Sequence, residues 1–214
     1  LETPANKVLI APYDARQIYF ISYSNRGEKF DVAINPALTM YNEYFGGGMN
    51  AIVFQEMREA RGLAYSAQAR LGSPSKLSDP YTFTSFIATQ NDKMIDAMQA
   101  FDDIINNMPQ SENAFNLAKD AVITNIRTQR IIKEDVLWRY LAAQDLGLSV
   151  DTRKEVFEKV PSMTLNDVVK FQEQWVKNRT YTYCVLGRES ELDTKSLEKY
   201  GPITRLTTEQ IFGY

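Results

Sequence analysis

Arg58 and Tyr65 stand 65 − 58 = 7 positions apart. Together they offer a guanidinium fork and a phenol, both able to donate to peptide carbonyl oxygens or to a developing oxyanion. They lie in the stretch Phe54-Gln55-Glu56-Met57-Arg58-Glu59-Ala60-Arg61-Gly62-Leu63-Ala64-Tyr65-Ser66, which reads as an amphipathic helix running through a glycine stop directly into a strand. Such a corner brings the last turn of a helix and the start of a strand to one rim. On these residues alone the alternative is structural: Arg58 caps the carbonyls at the helix end and Tyr65 packs.

The rest of the chain narrows the chemistry by what it lacks. It has no histidine, so no imidazole serves as metal ligand, general base or proton shuttle, and Ser-His-Asp, Cys-His and His-ligated zinc mechanisms are excluded for this chain alone. Its single cysteine, Cys184, forms no internal disulfide and supplies no structural zinc cluster. In the run Tyr-Thr-Tyr-Cys-Val-Leu it reads as a small buried hydrophobe. Gly46-Gly47-Gly48 precedes a helix as a phosphate cradle would, but lacks the Lys-Ser/Thr of a nucleotide loop and reads as a hinge between helices. The carboxylates Asp102 and Asp103, and Glu56 and Glu59, fit solvated helix faces better than an acid/base pair. The same holds for the basic residues Lys119, Arg127, Arg130 and Lys133.

With 24 Lys+Arg against 27 Asp+Glu the net charge is −3, which draws in neither nucleic acid nor an anionic membrane. The length of 214 residues and 44% hydrophobic content suit one soluble α+β domain spanning 1–214. No apolar run reaches the ~20 residues of a membrane span, and the start lacks a signal-peptide pattern. The expected compartment is therefore a soluble one, cytoplasm or periplasm. The absence of an initial Met is the expectation for a segment of a longer polypeptide.

These side chains must be positioned by the following elements. Residues 1–15, with Pro4 and Pro12, read as an irregular lead-in arm. A strand apolar on both faces spans Gln17–Tyr23. A helical stripe runs through Phe30, Ile34, Leu38, Tyr41 and Phe45, with Pro36 requiring a kink or a later start. Glycines 46–48 end that helix, and Asn50 caps another to about Arg61. Residues 63–73 and 80–90 form an antiparallel hairpin. Helices follow from Asn91 or Asp92 to about Met108, from Ser111 to about Ile132, over 134–147 with Gly147 as stop, and from Thr164 to about Asn178. Tyr181–Leu186 is a strand, and 190–214 a short helix and an irregular tail. Strands in hairpins with helices in runs imply α+β, an antiparallel sheet with helices mainly on one face.

The stretch Tyr44-Phe45-Gly46-Gly47-Gly48-Met49-Asn50-Ala51-Ile52-Val53-Phe54 continuing to Ser66 resembles the insulinase, or pitrilysin-like, zinc metallopeptidases. More narrowly it is similar to their C-terminal, non-zinc-binding domain, a group that includes mitochondrial processing peptidase. The likeness is closest over residues 38–90 and extends as a pattern of helix and strand lengths over about 91–190. It implies a half-clamshell domain of the LuxS and processing-peptidase type, which faces a homologous zinc-binding domain, in the same polypeptide or a separate subunit, across a chamber for a peptide substrate. The inverted zinc motif His-x-x-Glu-His belongs to that partner, so no cofactor is expected here and zinc is implied there, activating water and polarising the scissile carbonyl. By resemblance Arg58 and Tyr65 are the catalytic residues of this half, contacting the substrate backbone and the tetrahedral intermediate. Gly46, Gly47 and Gly48 correspond to a substrate-handling loop that is longer in some members. The isolated chain is expected to be inactive. The alternative is an inert scaffold or interaction subunit of the same fold.

Overall fold

Period-two alternation of buried and less buried residues builds a six-stranded sheet. The computed structural model describes residues 1–14 and 16–214. Strands β1 (Lys7–Pro12) and β2 (Gln17–Lys29) come first. A single 3-10 turn over Val32–Ile34 then leads into α1 (Asn35–Gly46). Pro36 falls in the first turn of α1, where its missing N–H is no loss, so the sequence stripe resolves as a later helix start. Helix α2 (Ile52–Phe54) continues as a π-turn over Gln55–Ala60. The hairpin β3 (Ser66–Gly72) and β4 (Pro80–Gln90) follows.

The remaining helices are α3 (Met94–Asn106), α4 (Glu112–Thr128), α5 (Lys133–Asp145), α6 (Arg153–Lys159) and α7 (Leu165–Trp175). After β5 (Thr182–Gly187) come α8 (Thr194–Leu197), β6 (Ile203–Arg205) and α9 (Thr208–Phe212). Ser111 caps α4 by accepting from the Ala114 N–H, and Thr164 with Asp167 forms a capping box on α7.

The sheet order is β3-β4-β2-β5-β1-β6. Strands β3, β4, β2 and β5 are antiparallel, but β1 runs parallel to both β5 and β6, so the sheet is mixed where the sequence reading expected an antiparallel one. The expected lead-in arm is corrected too: Lys7–Pro12 is an inner strand, its Val8 and Ile10 buried, and Ala15 at the end of that span lies outside the described residues. These partners are some 175 residues apart in the chain, and alternation within a six-residue segment carries no sign of them.

The helices that bury side chains pack on one face. Ile18, Phe20, Phe83, Ile87, Tyr183 and Val185 point into a core shared with Tyr41, Phe45, Phe101 and Phe171. Tyr41 stacks on Phe45 with ring centroids 5.2 Å apart and lies 5.3 Å from Phe171, which joins α1 to α7. The opposite face of the sheet stays partly open. There the register lines up Gln68, Phe86, Ile21, Cys184 and Leu9 in one row.

Candidate functional site

The end of α1 is built against the edge strand. One turn before the end, the Asn42 side chain donates from Nδ2 to the Leu71 carbonyl at 2.9 Å and accepts from the Leu71 N–H at 3.0 Å. Its amide thus takes the place of a neighbouring strand on the outer edge of β3. At Gly46 a Cβ would lie 1.9 Å from the Ala69 carbonyl oxygen, so helix and strand backbones approach as only glycine permits. Gly47 and Gly48 follow, exposed at the rim.

From there the chain enters α2 without the expected Asn50 cap: the capping position is Ala51, with no side-chain bond. Instead Gln55 Nε2 donates back to the Met49 carbonyl at 2.6 Å. The final turn widens, the Arg61 N–H reaching the Glu56 carbonyl at 3.2 Å, a 61 − 56 = 5 residue step. The Leu63 and Ala64 N–H groups both close on the Met57 carbonyl, at 2.9 and 3.2 Å, and Gly62 takes a φ of 57° to allow it. The turn is held from the other side by Thr89 Oγ1 on the Leu63 carbonyl (2.6 Å) and Lys93 Nζ on the Gly62 carbonyl (3.2 Å).

This corner brings Arg58 and Tyr65 together. The Arg58 guanidinium carbon lies 5.0 Å from the Phe54 ring centre and 5.5 Å from that of Tyr65, a cation between two rings. Its Nε is 3.7 Å from Glu59 Oε1, and the side chain is 46% exposed. Tyr65 is 70% exposed. Among the described residues Arg58 caps no helix-end carbonyl, and Tyr65 is exposed rather than packed inside.

Both residues line an open cleft of about 970 Å³, whose wall includes Gly46, Gly47, Gly48 and Phe54 and whose floor includes Gln68, Phe86 and Ile21. The five residues that the resemblance points to, Arg58, Tyr65, Gly46, Gly47 and Gly48, therefore meet at one cleft. Glu43 also lines it, a residue the sequence reading did not single out, and burial raises the pKa of its carboxyl. Its place one turn before the glycines on α1 was readable, but not the cleft it faces. Gln68 and Arg70 alternate with the buried Ala67, Ala69 and Leu71, a legible polar face whose neighbour was not.

Other candidates lie elsewhere. Asp103 and Glu56 each pair with Arg61, at 3.7 and 3.5 Å. Asp102 departs from the expected solvated face: burial raises its pKa to about 6, opposed by a hydrogen bond from Tyr200. Cys184 sits on the partly open sheet face, where burial pushes its thiol pKa up. That does not favour a thiolate nucleophile. Lys119 is not merely solvated, donating to the Met163 carbonyl at 2.7 Å. No group of three or more potential ligands occurs among the described residues, and with no histidine the chain's own side chains do not fit a zinc site. Among the described residues no helix is long and apolar enough to cross a membrane.

Residues 14–122 match the family model described as the peptidase M16 inactive domain, 122 − 14 + 1 = 109 of the 214 residues. The chain belongs to this family. No curated protein sequence matches it. Among solved structures it is similar to a peptidase M16 inactive domain from Pseudomonas fluorescens, at 15% identity and a TM-score of 0.71 over 86% of this chain and 44% of that one. A conserved protein from Enterococcus faecalis gives 15% identity and a TM-score of 0.70, over 90% of this chain and 44% of that one. The periplasmic protease PqqL from Escherichia coli gives 14% and 0.66, over 87% and 21%. These likenesses establish the fold. The chain spans less than half the length of each of these structures.

Proposed function

We propose that this inactive-domain chain is the non-catalytic half of a zinc-dependent metalloendopeptidase, closing a peptide-binding chamber. In this reading Arg58 and Tyr65 donate to the substrate backbone and to the oxyanion that develops at the scissile carbon. The observation that carries it is the pair itself: a guanidinium and a phenol, held within one ring contact of each other and both solvent-accessible, at the rim of a cleft large enough for an extended peptide. The rings of Phe54 and Tyr65, 5.0 and 5.5 Å from the Arg58 guanidinium carbon, hold it toward the cleft, and an oriented donor is what a preorganised oxyanion site requires. Gly47 and Gly48 let a peptide approach the backbone at the same rim, while Gly46 serves the contact with β3. Because the chain's residues do not form a metal site, zinc and its chemistry are assigned to a homologous partner half, in the same polypeptide or a separate subunit. The greater length of the similar solved structures supports such a partner.

A peptidase assay on the assembled, zinc-loaded protein tests this. Arg58→Ala and Tyr65→Phe are expected each to lower turnover roughly 10²- to 10³-fold, with unchanged circular dichroism and thermal midpoint because neither side chain belongs to the buried core. Normal turnover in both variants, or no turnover in the wild-type assembly, would transfer the assignment to an inert scaffold of the same fold.

A further inference from the structure

Glu43 carries a carboxylate that nothing else in the fold answers. Among the described residues it enters no ion pair. Burial alone raises its pKa, with no cation and no hydrogen-bond donor acting against it. A half-buried carboxyl without a partner is a cost to folding, and such groups gather in clefts where a ligand meets them. Its place is set by the end of α1. The Oε2 atom lies 3.1 Å from the point where a Cβ on Gly47 would stand, beside the glycine rim of the main cleft. Glu43 lines that cleft and also a side pocket of about 270 Å³, which shares Leu38, Thr39 and Ser73 with it. The pocket is walled further by Phe30, Val122, Ile126, Leu146 and Val156. The carboxylate therefore stands where an open cleft meets an apolar recess.

The other charged groups of the two cavities are differently placed. Arg153, in the side pocket, is engaged already: its Nε donates to Asp151 Oδ2 at 2.9 Å and its Nη1 to Gln129 Oε1 at 2.9 Å. In the main cleft Arg58 lies between two rings with Glu59 3.7 Å away, and Arg70 is exposed on the outward face of β3. A charge pair formed in full water is roughly four times weaker than one formed at a partly dry protein surface, so Glu43 discriminates between ligands more sharply than Arg70 does.

We propose that Glu43 is a specificity-determining residue that selects a lysine or arginine side chain of the bound peptide, with the aliphatic stem along the apolar mouth and the charged head on the carboxylate. The proposal rests on the reading under Proposed function and names its substrate class: peptides with a basic residue at a set distance from the bond that is cut, because Glu43 and the Arg58–Tyr65 pair are both fixed on one cleft. Lys and Arg join an apolar stem to a cation. An apolar side chain would leave the carboxylate unanswered, and an acidic one would bring a like charge to it.

N-acetylated fluorogenic peptides of one neutral sequence, with a single lysine walked along them, test this on the assembled, zinc-loaded protein. At one or two adjacent positions lysine is expected to raise kcat/KM at least about tenfold over norleucine, and in Glu43→Gln that ratio is expected to fall to near one. Fluorescence anisotropy of the same peptides on the metal-stripped assembly is expected to give the same ratio in affinity and the same loss in Glu43→Gln. Equal values for lysine and norleucine overturn the proposal, as does a lysine preference that survives in Glu43→Gln. A higher rate for glutamate at those positions also overturns it and would pass the selection to Arg58 and Arg70. The two readings fail separately. If the stripped assembly binds the lysine peptide through Glu43 while the zinc-loaded protein cleaves nothing, the peptidase role fails and the basic subsite stands; if turnover depends on Arg58 but is indifferent to lysine, only the subsite fails.

Discussion

Asp102 shows how much a single residue depends on what covers it. On the linear chain it is one of two adjacent carboxylates on a polar helix face; in the fold it lies beside Tyr200, and Tyr181 and Tyr183 feel its charge. Its pKa is raised from 3.8 to about 6, chiefly by loss of solvent. A folded-state pKa above the unfolded one means that the native state holds the proton more tightly. The associated stability is fully present below about pH 3.8 and is lost as pH rises through about 6. Asp102→Asn is therefore expected to flatten the fall in unfolding free energy between pH 4 and 7 by about 2 kcal/mol, allowing for partial solvent access. Urea titrations at the two pH values check it. Glu43 shifts in the same direction for the same reason, so the wild-type curve retains part of its slope in the variant. Parallel curves for the two proteins would mean that Asp102 is as well solvated in the fold as outside it. The proximity of Arg58 and Tyr65, by contrast, was legible from their spacing, because the π-turn and the strand start that juxtapose them lie within a few residues of each.

At the scale of elements, the end of α1 on β3 decides where the cleft opens. Gly46 lies against the Ala69 backbone, which cannot step aside without breaking the β3–β4 ladder. Gly46→Ala is expected to destabilise the chain by at least about 2 kcal/mol. Gly48→Ala, with nothing within 4 Å of its Cβ, is expected to change stability by less than about 0.5 kcal/mol. Chemical denaturation of the two variants side by side distinguishes a packing glycine from a rim glycine. Equal effects would show that the helix end has room to slide along the edge strand. Glycine-rich character at 46–48 was legible as a helix stop, but three identical residues gave no sign that Gly46 is the one set against the edge strand.

For the whole molecule, β1 is the piece that ties the ends of the chain together. It lies between β5 and β6, and its Val8 and Ile10 side chains are buried. Deleting residues 1–12 removes two core side chains worth roughly 1.5–3 kcal/mol each and leaves β5 with a bare edge. That sum is a large share of the 5–15 kcal/mol typical of a folded domain. The truncated chain is expected to lose cooperative thermal unfolding or to melt more than 10 °C lower by calorimetry. A midpoint within a few degrees of the full chain would mean that the β2–β5 sheet stands without its parallel strands.

The family, the fold class, the hairpin, most helix positions and the corner that carries Arg58 and Tyr65 were legible in the order of residues along the chain. Each of these is written in local terms: a 3.6-residue or two-residue period, a cap, a glycine, a motif of a dozen residues. The parallel pairing of β1 with β5 and β6, the partial burial of Asp102, the packing duty of Gly46 and the bare apolar face of α5 come from the folded arrangement alone. Those depend on which segments distant along the chain lie next to one another. Burial and strand pairing are properties of such neighbours, and a residue's own type and spacing do not encode them.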